Sequence, residues 1–388
     1  MTGTLRTGLD LALGEVLAAV DDHAPGADDG AVFPVQALDA MRSTGLLGLC
    51  VPAEHGGGGG TLADLVDVTV ELARHDMSVA MIFAMHCQQV LTVVRHAEEP
   101  LRDRLLGELA PGRHYLASVT TERGKGGHLL SSESETSIAA DRLVIDRDAP
   151  IVTGGLHADG FLITVLTPEA ISPAQVSLVY ADRADLQIAE LGGWQPLGMR
   201  ATQSVPMRLT GSVPAGQVIG AAGGFHDIVA RTFGPLAHLG WSAAWLGTAT
   251  GALSRVLQYL RSDSGRKQYD VSSELLLTRI ARVRSRLETV NALLQQAIRC
   301  WEEYPDLSGA PAQLLINTLK IQAAEQCFAA ADELMELAGL RLGYLRDSPL
   351  QLERVFRDLR SASLNYGNDR LYLVNGALAL RDRQVHFA

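Results

Sequence analysis

The hydrophobic period of this chain changes twice, and the order of those changes restricts the fold more than any single motif does. Up to about residue 113, apolar side chains recur at three- and four-residue intervals, most clearly over residues 32–47 and 62–74. Between these runs lies a glycine loop, residues 56–60, that no helix can include. Residues 114–222 switch to short β-type runs at 115–121, 142–146, 160–166, 176–181 and 205–209, separated by Gly, Pro and Asp turns. From residue 223 the helical period returns at 228–261, 274–302, 310–337 and 350–359, enough for a four- or five-helix bundle. Helices, then β, then helices is not the strict alternation of doubly wound dinucleotide folds. The expected class is α+β, mainly α. It has an N-terminal helical domain (1–113), a β-barrel-like middle domain (114–222) and a C-terminal four-helix bundle (223–388).

Charge and composition remove several function classes. With 33 basic against 44 acidic residues the net charge is −11, which lacks the basic footprint of a nucleic-acid binder. The N-terminus has no basic head followed by an apolar run, and the apolar stretches are broken before the ~20 residues that span a bilayer. No membrane association and a cytoplasmic location are therefore expected. Cys50, Cys87, Cys300 and Cys327 lie far apart without metal-ligand spacing, so they are expected to be buried thiols and no metal site is expected.

Within the β region, Thr120-Thr121-Glu122-Arg123-Gly124-Lys125-Gly126-Gly127-His128 is read by itself as an exposed basic turn. Its glycines would equally let backbone N–H groups approach an anion. Further on come Ile151-Val152-Thr153-Gly154-Gly155, Leu197-Gly198-Met199-Arg200 and Val213-Pro214-Ala215-Gly216. In the bundle, Arg266-Lys267-Gln268-Tyr269, Glu336-Leu337-Ala338-Gly339 through Gly343-Tyr344, and Arg357-Asp358 stand out.

In this order and spacing the segments resemble the motifs of acyl-CoA dehydrogenases over most of the chain. The resemblance implies FAD held between the β domain and the bundle. It assigns cofactor contacts to Thr120, Thr121, Gly126, Gly127, Ile151, Thr153, Arg266, Tyr269, Glu336, Gly339, Asn368 and Arg370. Thr153 takes the place of the threonine that reaches the flavin N5 region, and Ile151 that of a tryptophan covering the flavin. In the family the arginine matched by Arg266 binds the pyrophosphate of a neighbouring subunit, which implies a homodimer or homotetramer. The turn at residues 339–344 carries one extra residue, and Leu340 replaces its second glycine.

The catalytic carboxylate of the family has no counterpart. Counting from Arg357-Asp358, the glutamate position falls on Tyr366. The alternative position, ten residues before Gly247 of the Leu246-Gly247 pair, falls on Ala237, followed by His238. A phenol titrates near ~10, so ionising one at neutral pH costs roughly 4 kcal/mol. Three candidates for the base remain: Tyr366, His238, and Asp369, expected to share a helical face with Tyr366. The reaction implied is desaturation of an acyl thioester, carried by CoA or by acyl carrier protein. Electrons would pass to an electron-transfer flavoprotein or to oxygen. The displaced base suggests a specialised enzyme of secondary metabolism. The alternative is a flavin monooxygenase of the same fold, a hydroxylase or N-oxygenase that uses reduced flavin and oxygen and needs no such glutamate.

Overall fold

The computed structural model describes residues 3–124, 128–304, 306–382 and 384–388. Five helices come first: α1 (Gly3–Gly30), α2 (Val35–Ser43), α3 (Leu62–His75), α4 (Met77–His96) and α5 (Leu101–Leu109). Eight strands follow: β1 (Leu116–Val119), β2 (Ser137–Ala139), β3 (Arg142–Ala149), β4 (Gly160–Leu166), β5 (Val176–Asp182), β6 (Leu186–Glu190), β7 (Met207–Pro214) and β8 (Val218–Ile219). The remainder is helical: α6 (Phe225–Ile228), α7 (Gly234–Arg261), α8 (Asp263–Gln268), α9 (Glu274–Glu303), α10 (Ala310–Gly339), α11 (Leu352–Leu359) and α12 (Asn368–Ala379). The expected class, mainly helical with a sheet-containing middle and a helical C-terminal part, is what the chain forms.

The chain divides into two compact units. The first comprises Met1–Leu65, Ile82–Gln195 and Arg200–Ala237; the second comprises Val66–Met81, Pro196–Met199 and His238–Ala388. In the first unit the strands make two four-stranded sheets, ordered β1-β4-β5-β8 and β2-β3-β7-β6. Strands β4 and β5 are buried on both faces, which suits their unbroken apolar sequence. Strand β3 alternates, with Leu143, Ile145, Arg147 and Ala149 pointing inward. In the second unit α9, α10, α11 and α12 pack into the helical part, with Leu294, Ile316, Leu334 and Leu359 in its core.

Several expectations need correction. Helix α4 is 20 residues long and, by length and composition, apolar enough to cross a membrane; 83% of its apolar window is buried, as in a core helix. The helix expected over 228–261 is interrupted by a π-turn at Val229–Phe233, just before Pro235, whose missing N–H breaks the regular ladder. The strand expected at 205–209 begins later and runs on through Gly211. A Cβ there would come within 2.2 Å of the Asp185 carbonyl oxygen, so glycine marks a close backbone approach and not a turn. Strands β2 and β6 were not foreseen, because neither has a buried face to impose a period.

The four cysteines are free and buried, as expected, and Cys50 lies close enough to Cys87 to add to the upward shift that burial gives the Cys87 thiol.

Candidate functional site

In the first unit, the loop after β1 is fixed by a buried ion pair. The inward pleat of β3 delivers Arg147, only 1% exposed, to the Glu122 carboxylate, which it contacts through Nη1. Arg147 Nη2 also donates to the Thr121 carbonyl (3.0 Å) and to Thr164 Oγ1 (3.3 Å). Glu122 further accepts from Ser132 Oγ (2.5 Å) and from the Glu133 N–H (3.0 Å). Burial lowers the Arg147 pKa, and the Glu122 charge opposes that shift. Salt bridging at this depth needs such partners for the remaining lone pairs and protons, and Arg147 Nε is left without one among the described residues.

This clamp holds Thr121, whose hydroxyl donates to the Ile151 carbonyl at 2.9 Å. Ile151, 46% exposed, therefore presents an apolar side chain at an edge already tied to Thr121. Two residues on, Thr153 Oγ1 shares a hydrogen bond with Ser204 Oγ (2.9 Å), and Ser204 another with Thr202 Oγ1 (2.9 Å). Gly154 follows at φ +61°, where a Cβ would also meet the Tyr115 hydroxyl at 2.6 Å. The sequence placed Thr120, Thr121, Ile151 and Thr153 at one site, and Thr121 and Ile151 do meet; Thr120 lies just past the end of β1. Gly126 and Gly127 lie outside the described residues. A separate cavity of about 440 Å³ in this unit, lined by Gly30, Trp194, Arg200 and Gln203 among others, contains none of the predicted residues.

In the second unit the two positions where a base was sought come together. The rings of His238, in the second turn of α7, and Tyr366, just before α12, lie 6.1 Å apart. Tyr366 is held at φ +53°, a left-handed conformation unusual for a bulky residue. Its carbonyl accepts from Lys320 Nζ at 2.8 Å, which also donates to the Ala362 carbonyl (3.2 Å) and to Asn368 Oδ1 (2.7 Å). Burial pushes the Lys320 pKa down to about 8, against the pull of Glu325. His238 is pushed down to about 3 by burial first and then by the Lys320 charge, so it is neutral at physiological pH.

Asp369 does not share a helical face with Tyr366, contrary to expectation. Helix α12 starts at Asn368, so the left-handed turn at Tyr366 falls outside it, and Asp369 is exposed. Glu325 reaches this region, but it accepts from Asn368 Nδ2 (3.2 Å) and from the Tyr372 hydroxyl (3.1 Å). Among the described residues, no hydrogen bond or ion pair joins a carboxylate to His238 or Tyr366.

The remaining predicted contacts form two groups. Tyr269 donates its hydroxyl to the Ala338 carbonyl (3.1 Å), next to Gly339 at φ +70°. The extra residue in the turn is absorbed by a π-turn at Leu340–Tyr344. Arg266 and Glu336 are exposed, and Arg370 is half-buried with Nη1 unpartnered. Arg357 and Asp358 act structurally, through other partners. Arg357 Nε donates to Glu353 (2.7 Å), and Asp358 Oδ1 accepts the Met199 N–H (2.6 Å). Gly198 permits this approach, since a Cβ there would lie 2.1 Å from the Arg357 carbonyl oxygen.

Sequence reasoning missed Lys320, Arg147 and Ser204. The signal for the first was available: Ile316, Lys320, Ala323, Ala324 and Cys327 fall on one helical face, and a lysine on an apolar face needs acceptors.

Comparison with known proteins agrees with this architecture. Residues 13–113 match the model of the acyl-CoA dehydrogenase N-terminal domain, and residues 230–374 that of the C-terminal domain. The chain belongs to the acyl-CoA dehydrogenase family. Among relatives in that family, the short-chain-specific acyl-CoA dehydrogenase of Clostridium acetobutylicum is 24% identical over 349 residues, 89% of each chain. L-evernosamine nitrososynthase of a Micromonospora species is 28% identical over 421 aligned positions, covering 98% of this chain and 92% of that one. Dibenzothiophene monooxygenase (TdsC) from Paenibacillus sp. A11-2 shares the fold at a TM-score of 0.84 and 21% identity, over 97% of this chain and 98% of that one. Its FMN-bound form superposes at 0.86.

Proposed function

We propose that this chain is a flavin-dependent oxidoreductase that oxygenates a small molecule with reduced flavin and dioxygen. The observation that carries the reading is the state of the paired base positions. Ala237 offers no proton acceptor, and His238 is held neutral with its pKa near 3, too weak a base to remove a proton next to a carbonyl. The Tyr366 segment is clamped by an ammonium whose three donors are all engaged. Oxygenation does not require that proton transfer.

The residues of the first unit fit a flavin. Ile151 gives an exposed apolar surface for a ring, with the Thr153 hydroxyl on the same segment and that of Thr121 bonded to the Ile151 carbonyl. When bound, flavin supplies the two-electron chemistry and the reaction with oxygen. The chain itself orients Thr121 through the Arg147–Glu122 pair, and shares the Thr153 hydroxyl with Ser204. The FMN-bound form of dibenzothiophene monooxygenase, which shares the fold, and the similarity to L-evernosamine nitrososynthase support the reading. Exposure of Arg266 and Glu336 fits residues that serve the cofactor of a second copy, so self-assembly is part of the proposal.

A second reading, dehydrogenation of an acyl thioester, is favoured by the family itself and by the short-chain dehydrogenase relative. One experiment separates the two. The flavin-loaded protein is titrated without oxygen against a panel of CoA and carrier-protein thioesters. It is then supplied with reduced flavin and oxygen. Oxygenation predicts no bleaching in the first arm and, in the second, oxygen uptake that free reduced flavin alone does not reproduce. Stoichiometric bleaching by any thioester would overturn the proposal and establish the alternative.

A further inference from the structure

Helix α7 carries three buried polar atoms that no described residue satisfies: His238 Nδ1, Ser242 Oγ and Trp245 Nε1. Their spacing, i, i+4 and i+7, places them within a narrow arc of one helix face. Ser242 and Trp245 are fully buried, and His238 is 8% exposed. Orphaned buried donors are rare in folded proteins because each forfeits its hydrogen bonds to water on burial. Three in a row on one face call for a polar partner, either water or a bound group.

The surroundings define its chemistry. The stripe begins at His238, whose ring faces Tyr366, and ends at Trp245, whose ring lies 5.5 Å from Lys320 Nζ. The lysine is the nearest charge shown, and its three donors are already taken by Ala362, Tyr366 and Asn368. It has no donor left to claim a carboxylate or phosphate. A cationic ligand would lie against that ammonium and a neutral imidazole, and the Glu325 carboxylate is already engaged by Asn368 and Tyr372. What remains is an N–H, an O–H and a ring nitrogen, which together suit neutral oxygen.

We infer that the His238–Ser242–Trp245 stripe binds the neutral, hydroxyl- or carbonyl-bearing part of the substrate. This deepens the proposed function and rests on its reading of the chain as an enzyme that acts on a small molecule. The stripe would exclude a plain hydrocarbon, which leaves all three groups unpaired, and would reject a charged group of the same size. Ser242 and Trp245 then determine specificity without touching the reacting atoms.

The chain contains four tryptophans, so indole ¹⁵N labelling of the flavin-loaded protein yields four N–H signals, and Trp245→Phe identifies one of them. Cyclohexanone, cyclohexanecarboxylate and cyclohexylammonium serve as neutral, anionic and cationic probes of similar shape. The expected result is a saturable shift of the Trp245 signal with cyclohexanone only, with affinity reduced about tenfold in Ser242→Ala, the value of one hydrogen bond. If Trp245→Phe does not fold, the signal that moves in Ser242→Ala without any probe takes over the assignment. The inference is overturned if cyclohexanone produces no shift at tens of millimolar, which would mean that water fills the stripe. It is also overturned if a charged probe binds equally well, or if Ser242→Ala leaves the affinity unchanged. Binding is read without turnover or oxygen, so failure of the oxygenation reading leaves this result intact, and oxygenation without the shift would sink the inference alone.

Discussion

Lys320 Nζ donates to the main-chain carbonyl of Tyr366 at 2.8 Å, and through this contact a buried charge on α10 fixes the residue at which motif spacing puts the family's base. Two further bonds, to Ala362 and Asn368, bind the ammonium to the same short segment. The left-handed φ of Tyr366 persists because three acceptors converge on one cation.

Replacing that cation should be costly. Lys320→Met leaves two carbonyls and the Asn368 amide oxygen unpaired in the interior, and a loss of about 3 kcal/mol is expected. Urea denaturation of the two proteins measures it. A change below about 1 kcal/mol would show that water replaces the ammonium freely.

Acid should destabilise the protein through His238. Its folded pKa is near 3, while an unfolded histidine titrates near ~6.5. Between these values the unfolded chain binds a proton that the folded chain does not, so stability is full above ~6.5 and falls as pH drops toward 3. His86, pushed to about 4 by burial, acts in the same direction. His238→Gln is expected to remove about 2 kcal/mol of the loss between pH 7 and pH 5. Denaturant midpoints at both pH values test this, and parallel curves for variant and parent would refute it.

Breaking the Arg147–Glu122 pair from one side should be worse than removing both charges. Arg147→Met strands a buried carboxylate, for an expected cost of about 3–5 kcal/mol, whereas Glu122→Gln with Arg147→Met should recover much of it. A double-mutant cycle from chemical denaturation gives the coupling. Additive effects would mean that the two side chains do not act as a unit.

Thr153→Val keeps shape and removes the hydroxyl bonded to Ser204, which still has Thr202 as a partner. Stability is expected to stay within about 1 kcal/mol, while the visible spectrum of the bound flavin changes. An unaltered spectrum would place Thr153 away from the ring.

How legible these features were depended on whether burial leaves a period. Strand β4 was bounded to the residue, and α9 and α10 to within two, because apolar runs or apolar stripes end sharply there. Helix α4 was overlooked because a helix buried all round has no stripe. Helix α12 was expected to include Tyr366, because much of it is exposed, as at Leu373 and Val374, and no inward pattern marks its start. For the same reason Asp369 was wrongly placed on one face with Tyr366.

The order of periods and the spacing of motifs were enough to set the class of fold and its family, and to expect no glutamate at either base position. These are properties of neighbouring residues and of counted intervals, so the linear chain contains them. Only the folded chain decided that His238 and Tyr366 face each other, that Lys320 clamps Tyr366, that burial, with Lys320 adding to it, keeps His238 neutral, and that Arg147 meets Glu122. Those pairs are 25 to 128 positions apart, and the burial that sets their charge states arises when distant segments close around them.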